Sequence, residues 1–363
     1  MTRLEDLQTP AVLVDLDVLE RNVERMASAA RAAGVKLRPH AKTHKTLELA
    51  RLQIAAGACG LTVAKTSEAE VFATEGFDDL FLAYPVVGLG KPERLLSLSD
   101  RVRLAVGVDS AEGARSLSSV FAAAGRRLDV MLKVDCGTGR VGVPPEAAPE
   151  LALRVAGLPG LAVRGLFTHA GHAYHETSPA GVASVGRAEG TTLARAAESV
   201  RAAGVPVEEV SVGSTPSARS AMSAEGVTEC RPGNYVYHDA SQVSLGTCGI
   251  EDCALTVLAT VVSVPSPTRA VLDAGSKTLS SDGLRPAAGG HGFLLGRVSR
   301  VARLSEEHGV VDIAAGERFA VGERVRVLPN HACVVSNLHD RVYAVRGGLV
   351  EGRWRVAARG CVE

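Results

Sequence analysis

Over the first 245 residues the apolar positions alternate between two rhythms. Short, largely apolar runs recur at Val35–Arg38, Leu61–Ala64, Leu80–Ala83, Val102–Val106, Asp129–Val134, Leu161–Phe167, Glu209–Val212 and Thr228–Arg231. Between most of them apolar residues return every three or four positions, as in TLELARLQIAA, SEAEVFATE, SAEGARSLSSVFAAA and GRAEGTTLARAAESVRAA. That spacing belongs to helices with one buried face. Gly34, Gly125 and Gly204 stand where such helices end, and Asp15 or Asp17 where the first one starts. A short apolar strand followed by a helix, repeated, is the signature of parallel βα units. Eight repeats counted from Val35 is the number that closes a (β/α)8 barrel; a doubly wound open sheet is the alternative. An earlier strand, Ala11–Val14, lies outside the eight.

From about Ile250 the pattern changes. ALTVLATVVSVP, RAVLDAG, RFAVGERVRVLP, RVYAVRGG and RWRVAAR are β-rich runs punctuated by Gly and Pro, with few helical patterns. The expected organisation is therefore a barrel over residues 1–245 and a C-terminal β-domain over 246–363, with the lone strand Ala11–Val14 a candidate to join the latter.

Composition narrows the class. A chain of 363 residues with 46% hydrophobic and 22% charged residues has ample material for a core. Formal net charge is zero and no basic block occurs, which argues against nucleic acid or a charged membrane surface as partner. No apolar run has the length of a membrane span, and MTRLEDLQTP lacks the apolar core of a signal peptide. Seven cysteines without CxxC pairs read as reduced thiols, so a cytoplasmic protein is expected.

Lysine is scarce here, with 7 among 40 basic residues, yet LRPHAKTHKTLELA holds two of them. Lysine does one thing arginine cannot: as a neutral amine it condenses with a carbonyl. In a barrel the chemistry sits at the C-terminal ends of the strands, and His40 and Lys42 directly follow the first of the eight. Asp135 and Arg140 follow the fifth, THAGHAYH the sixth, VGSTPSARS the seventh and RPGNYVYHD the eighth. The last two loops are the usual phosphate grip of such barrels. Gly213, Ser214 and Thr215, followed by Pro216 at a first helical position, form one half of the grip. Gly233 and Asn234, with the Tyr235 phenol, form the other. A lysine opposite a phosphate grip points to pyridoxal 5'-phosphate (PLP), with its carbonyl end at Lys42. Lys45, expected on the next helix, reads as a solvated or supporting charge. His169 and His172 either act in catalysis or simply satisfy backbone groups at a strand end.

RPHAKTHK, DCGTGRVGV, THAGHAY, VGSTPS, ECRPGNYVYHD, LSEEHG and PNHACVVSNLHD, in this order, resemble the D-serine dehydratase/D-threonine aldolase family, alanine-racemase-like enzymes of PLP fold type III. The resemblance runs from about Thr9 to the C-terminus. It implies a PLP-binding (β/α)8 barrel with a C-terminal β-domain, active as a homodimer. It places PLP on Lys42, with Arg140 near the ring and Tyr174 as an active-site tyrosine; beside these, His40 is a further cofactor-binding candidate and His172 a further catalytic one. His331 and Cys333 match a metal pair, zinc in the dehydratases, with manganese or magnesium as alternatives. D-threonine aldolases typically carry an aspartate in place of the second ligand, so Cys333 is the informative departure. At positions i and i+2 the two would share one face of a strand, and imidazole with thiolate suits zinc.

The expected activity is that of a lyase on β-hydroxy-D-amino acids, most simply D-serine to pyruvate and ammonia. D-threonine aldolase-like cleavage to glycine and an aldehyde, or an amino-acid racemase, are the alternatives. A non-catalytic PLP carrier and a metal-free barrel acting on a phosphorylated sugar are weaker readings.

Overall fold

A computed structural model describes residues 2–284 and 289–363. The chain opens with β1 (Ala11–Asp15) and α1 (Leu16–Ala32), and Asp15 caps the helix by accepting the Val18 N–H at 3.1 Å. Gly34, Gly125 and Gly204 lie just past α1, α5 (Ala111–Ala123) and α7 (Pro179–Ala202), at φ of 67°, 64° and 92°. An L side chain is disfavoured there, so the helices stop at these positions. The chain divides into two compact units. One comprises Arg25–Lys42, Ala50–Gly233 and Cys361–Glu363; the other comprises Met1–Glu24, Thr43–Leu49 and Asn234–Gly360.

The first unit is built on eight parallel strands: β2 (Lys36–Leu37), β3 (Leu61–Val63), β4 (Asp79–Pro85), β5 (Arg103–Val108), β6 (Leu128–Lys133), β7 (Leu161–Phe167), β8 (Glu209–Val212) and β9 (Glu229–Cys230). β3 to β9 pair in sequence order, and β2 pairs with β9. The two ends of the sheet meet through a parallel bridge between His40 and Thr62, with Thr62 N–H donating to Pro39 O at 2.8 Å. The expected barrel therefore closes. Phe81, Met131 and Phe167 form one buried cluster, with the Phe81 and Phe167 rings edge to face at 5.0 Å.

Arg231 lies over both rings, at 5.6 and 5.3 Å, and the charges around it are chained. Arg231 Nε donates to Ser211 Oγ, which donates to Glu229, which accepts from Arg38, itself paired with Asp79. Arg38 and Glu229 thus pair directly, and Arg231 reaches Glu229 through one hydroxyl, which eases the burial of these charges. Packing against the strands is equally tight. A Cβ on Gly165 of β7 would fall 2.0 Å from Glu209 O of β8. Gly165→Ala is therefore expected to lower unfolding free energy by about 1–3 kcal/mol, read from the urea midpoint.

In the second unit β10 (Leu255–Ser266), β11 (Arg269–Leu272), β12 (Gly292–Leu294), β13 (Arg300–Leu304), β14 (Gly309–Asp312) and β15 (Arg324–Pro329) run β11-β14-β13-β12-β15-β10, and β10 returns to β11. The ring is closed and antiparallel. β10, twelve residues long, also pairs with β1, which runs parallel to β16 (Arg341–Arg346), and β17 (Leu349–Arg355) completes the sheet. The lone first strand thus belongs to this β-sheet and not to the barrel. Among the described residues no helix is long and apolar enough to cross a membrane.

Candidate active site

In the barrel unit, polar residues gather on the loops after the strands. Lys42 lies on a 3-10 turn, Ala41–Thr43, just beyond the His40 bridge, and is half-buried. Burial, together with the cations Lys42 and Arg231, holds the His40 imidazole well below its usual range. His169 is likewise kept neutral, by burial and then by Lys42 and Lys133. Its Nδ1 lies 2.6 Å from Gly213 O. A carbonyl only accepts, so Nδ1 carries the proton and Nε2 presents a lone pair.

Lys133, at the end of β6, is only 5% exposed and sits 4.8 Å over the Phe167 ring. Burial, and next Arg231, lowers its pKa to about 7. Arg140 acts on both His169 and Lys133, although its own side chain is exposed. Lys42, Lys133, Arg140 and Arg231 thus crowd positive charge near one another, with Glu189 the carboxylate that acts on Lys133 and Arg231. That surplus suits an anionic ligand.

The loops themselves are built from within. Asp135 accepts from the N–H groups of Gly137, Thr138 and Gly139 at 3.0, 2.8 and 2.8 Å, folding the DCGTGR turn around its carboxylate. Thr138 then donates to His169 O at 2.5 Å and accepts from Gly171 N–H at 3.0 Å, tying that turn to the 3-10 helix Gly171–His175. His172 and Tyr174, both half-buried, are on this helix.

In the loop after β8, Gly213 has φ of 154°, and a Cβ there would lie 2.8 Å from Arg231 N, so only glycine lets the two loops close up. Ser214 and Thr215 are buried beside it. Pro216 is not a first helical residue: it lies in a turn, and α8 (Ala218–Ala221) starts two residues later. Gly233 ends the barrel unit, whereas Asn234 and Tyr235, on the 3-10 helix Asn234–Val236, belong to the β-unit.

In the β-unit, His331 and Cys333 do not share a strand face. β15 ends at Pro329, and α11 (Ala332–Leu338) begins with His331 as its N-cap. The proline removes a ladder donor and Asn330 leaves the sheet to bind Asp282 O and Gly290 O, so the i, i+2 strand geometry is not available. The pair still meets through a side-chain hydrogen bond. His331 Nδ1–H donates to Asp282 Oδ2 at 2.7 Å. A carboxylate on one ring nitrogen fixes the tautomer and leaves the other nitrogen to bind a metal.

Burial opposes charge on both partners but is overcome: the Cys333 thiolate, with Asp239 and Asp282, raises His331 to about 10, and His331, with Thr43, pulls Cys333 below its ordinary value. Thr43 Oγ1 is 3.3 Å from Cys333 Sγ, and the Asn234 side-chain amide donates to Cys333 at 3.7 Å and to Asp239 at 2.6 Å. Asp239 also accepts the Ala332 N–H at 3.0 Å, which pins the helix start. A depressed thiol with an oriented imidazole is a donor set for a borderline-soft divalent metal. Among the described residues no third His, Cys, Asp or Glu joins it.

Lys45 is neither solvated nor helical. It is 6% exposed, has φ of 52°, precedes α2 (Leu47–Ala55) and donates to Asn337 Oδ1 at 2.8 Å. Thr43 and Asp239 lie within RPHAKTHK and ECRPGNYVYHD but have no spacing that singles them out. The buried Glu189 and Lys133 and the half-exposed Asp282 stand outside those motifs, so sequence reasoning misses all of them. Only Glu189 carries a signal: Gly186 and Gly190 flank it on α7, and a Cβ on either would strike Ser217 O at 2.7 Å or Ala221 O at 2.4 Å.

Residues 14–241 match the model of the alanine racemase N-terminal domain, and residues 254–345 match a serine dehydratase domain. A D-threo-3-hydroxyaspartate dehydratase from Delftia sp. (strain HT23) is 37% identical over 346 residues, covering 90% of this chain and 91% of its own. A D-threonine aldolase from Arthrobacter sp. is 34% identical over 362 residues, covering 98% and 94%. Among solved structures, a cysteine-to-alanine mutant of D-threo-3-hydroxyaspartate dehydratase in the metal-free form superimposes with a TM-score of 0.91 at 34% identity, covering 98% of this chain and 99% of that one. Two matched domains in the same order and relatives aligned along almost the whole length leave one assignment: the chain belongs to the D-serine dehydratase/D-threonine aldolase family, with the alanine-racemase-like fold.

Proposed function

We propose that this chain is a lyase for β-hydroxy-D-amino acids, working with pyridoxal 5'-phosphate and a divalent metal, and that its principal reaction is dehydration. One observation carries the reading. Thr43, the residue bonded to Lys42, lies 3.3 Å from Cys333 Sγ, and Cys333 is paired with a histidine whose tautomer a carboxylate fixes. The dehydratase relative supports it, because the histidine and cysteine altered in its solved mutants stand two positions apart, as His331 and Cys333 do.

In this reading Lys42 would hold the cofactor through its amine, and that amine, when the substrate's amine has taken its place, would take the proton from the substrate Cα. His169 keeps its protonated Nδ1 on Gly213 O, and burial with the nearby cations makes its other nitrogen a weak base, so it orients without competing for that proton. Tyr174 and His172, on one short helix, are the side chains offered for binding the substrate and moving its protons. Gly213, Ser214, Thr215 and Gly233, with Asn234 and Tyr235, are assigned to the phosphate. His40 and Arg140 are assigned to the ring. His331 and Cys333 would hold the metal, zinc by the softness of the thiolate. When bound, the cofactor supplies a sink for charge at Cα and the metal a Lewis acid for the β-hydroxyl.

Retro-aldol cleavage is the second reading, favoured by the D-threonine aldolase relative. A panel of D-serine, D-threonine and D-threo-3-hydroxyaspartate, with and without chelator, separates the two. Keto acid and ammonia, lost on chelation and restored by zinc, are the expected products. Glycine with an aldehyde as the main product would transfer the assignment to the aldolases, and turnover indifferent to chelator would remove the metal.

A further inference from the structure

We infer that Glu189 is the positioning residue of the anion-binding loops, holding the segment after β8 in the shape that receives a phosphate; this rests on the cofactor reading above. Glu189 is fully buried on α7. Its Oε1 accepts the backbone N–H of Ala170, after β7, and of Gly213, after β8, both at 3.1 Å. Its Oε2 accepts the Ser217 hydroxyl at 2.8 Å. One carboxylate thus joins two successive rim loops.

The chain of hydroxyls has a direction. Ser217 has a single hydroxyl proton, and a carboxylate can only accept it. In the 2.7 Å contact between Ser214 and Ser217, Ser214 must therefore be the donor. The Gly213 N–H and the Ser214 hydroxyl proton are both committed to the scaffold. What this loop keeps for a phosphate is the course of the backbone beyond Gly213, which Glu189 holds in place.

Burying a carboxylate close to an anion site is unfavourable unless cations compensate, and Lys133 and Arg231 both act electrostatically with Glu189. The two glycines beside it bring α7 within backbone contact of Ser217 and Ala221, which is what lets the carboxylate reach the loop.

The test uses the full chain stripped of cofactor, titrated with pyridoxal 5'-phosphate and separately with pyridoxal, which lacks the phosphate, following the visible absorbance of the lysine-bound form. Glu189→Ala is expected to weaken pyridoxal 5'-phosphate binding by about 30-fold or more, the scale of losing hydrogen bonds to a charged group, and pyridoxal by less than about 3-fold. The melting temperature of the stripped protein should stay within a few degrees. Glu189→Gln retains an acceptor for both N–H groups and should recover most of the loss. Ser217→Ala should give a loss confined to the phosphorylated ligand, smaller than that of Glu189→Ala.

Glu189→Ala binding both ligands as the wild type does, or losing both in parallel, overturns the inference. A wild type that binds neither ligand overturns the cofactor reading and this inference with it. A wild type that binds the phosphorylated ligand beside an unaffected Glu189→Ala overturns the inference alone. Should Glu189→Ala not fold, Ser217→Ala decides: an unchanged ratio of the two affinities overturns the inference.

Discussion

Lys42→Ala is expected to abolish turnover, by about three orders of magnitude or more, and with it the visible absorbance of the lysine-bound cofactor. Loss of a covalent nucleophile has effects on that scale because the remaining groups cannot replace the bond it forms. Borohydride labelling should fall on the Lys42 peptide in the wild type and vanish in the variant. The informative rival is Lys133, buried and lowered to about 7, hence a competent amine at neutral pH. It is the last residue of β6, whereas Lys42 is joined to Thr43, the neighbour of Cys333. Label remaining at Lys133, Lys45, Lys65 or Lys277 in Lys42→Ala would reject the assignment.

Cys333→Ala is the second large effect. It should leave cofactor absorbance nearly intact, since the Cys333 thiol is assigned to the metal and to no part of the cofactor, and its neighbours Thr43 and Asn234 keep their own side chains. Turnover of β-hydroxy-D-amino acids should drop by about two to four orders of magnitude, and bound zinc, measured by elemental analysis, should fall in parallel. Cys333→Asp discriminates further. It keeps an anionic ligand but a harder one, so the metal requirement should shift from zinc toward manganese or magnesium. Dehydration should suffer more than any aldol cleavage. Full activity with chelator in all three proteins would dismiss the metal, and a racemase activity would become the one to assay.

The barrel was legible because a strand buried on both faces must be apolar and a helix lying on it must repeat near 3.6 residues. The β7 and β8 ranges, Leu161–Phe167 and Glu209–Val212, are those the pattern predicts, and the other six strands lie within a few residues of expectation. His40 and Lys42 were legible for the same reason: strand ends mark the rim. The β-unit was read only as β-rich. Its closure joins β10 to β11 on one side and to β15 on the other, and the insertion of β1 depends on contacts more than 230 residues apart, which no local rhythm encodes.

What the sequence determines by itself is local: the number and kind of elements, where the helices end, and which chemical groups fall at the ends of strands. It carries the pairing of His331 with Cys333 as a spacing. The tertiary structure decided what those groups do to each other. Lys45, a surface cation by its neighbours in sequence, is buried against Asn337 because the turn before α2 takes a left-handed φ. His331 and Cys333 leave the strand because Pro329 ends it. Glu189, one acid in an alanine-rich helix, becomes the link between two loops only because glycines bring α7 down onto α8. Hydrogen bonds and charge shifts depend on distances of a few ångströms between residues far apart in the chain. Those distances exist only after folding.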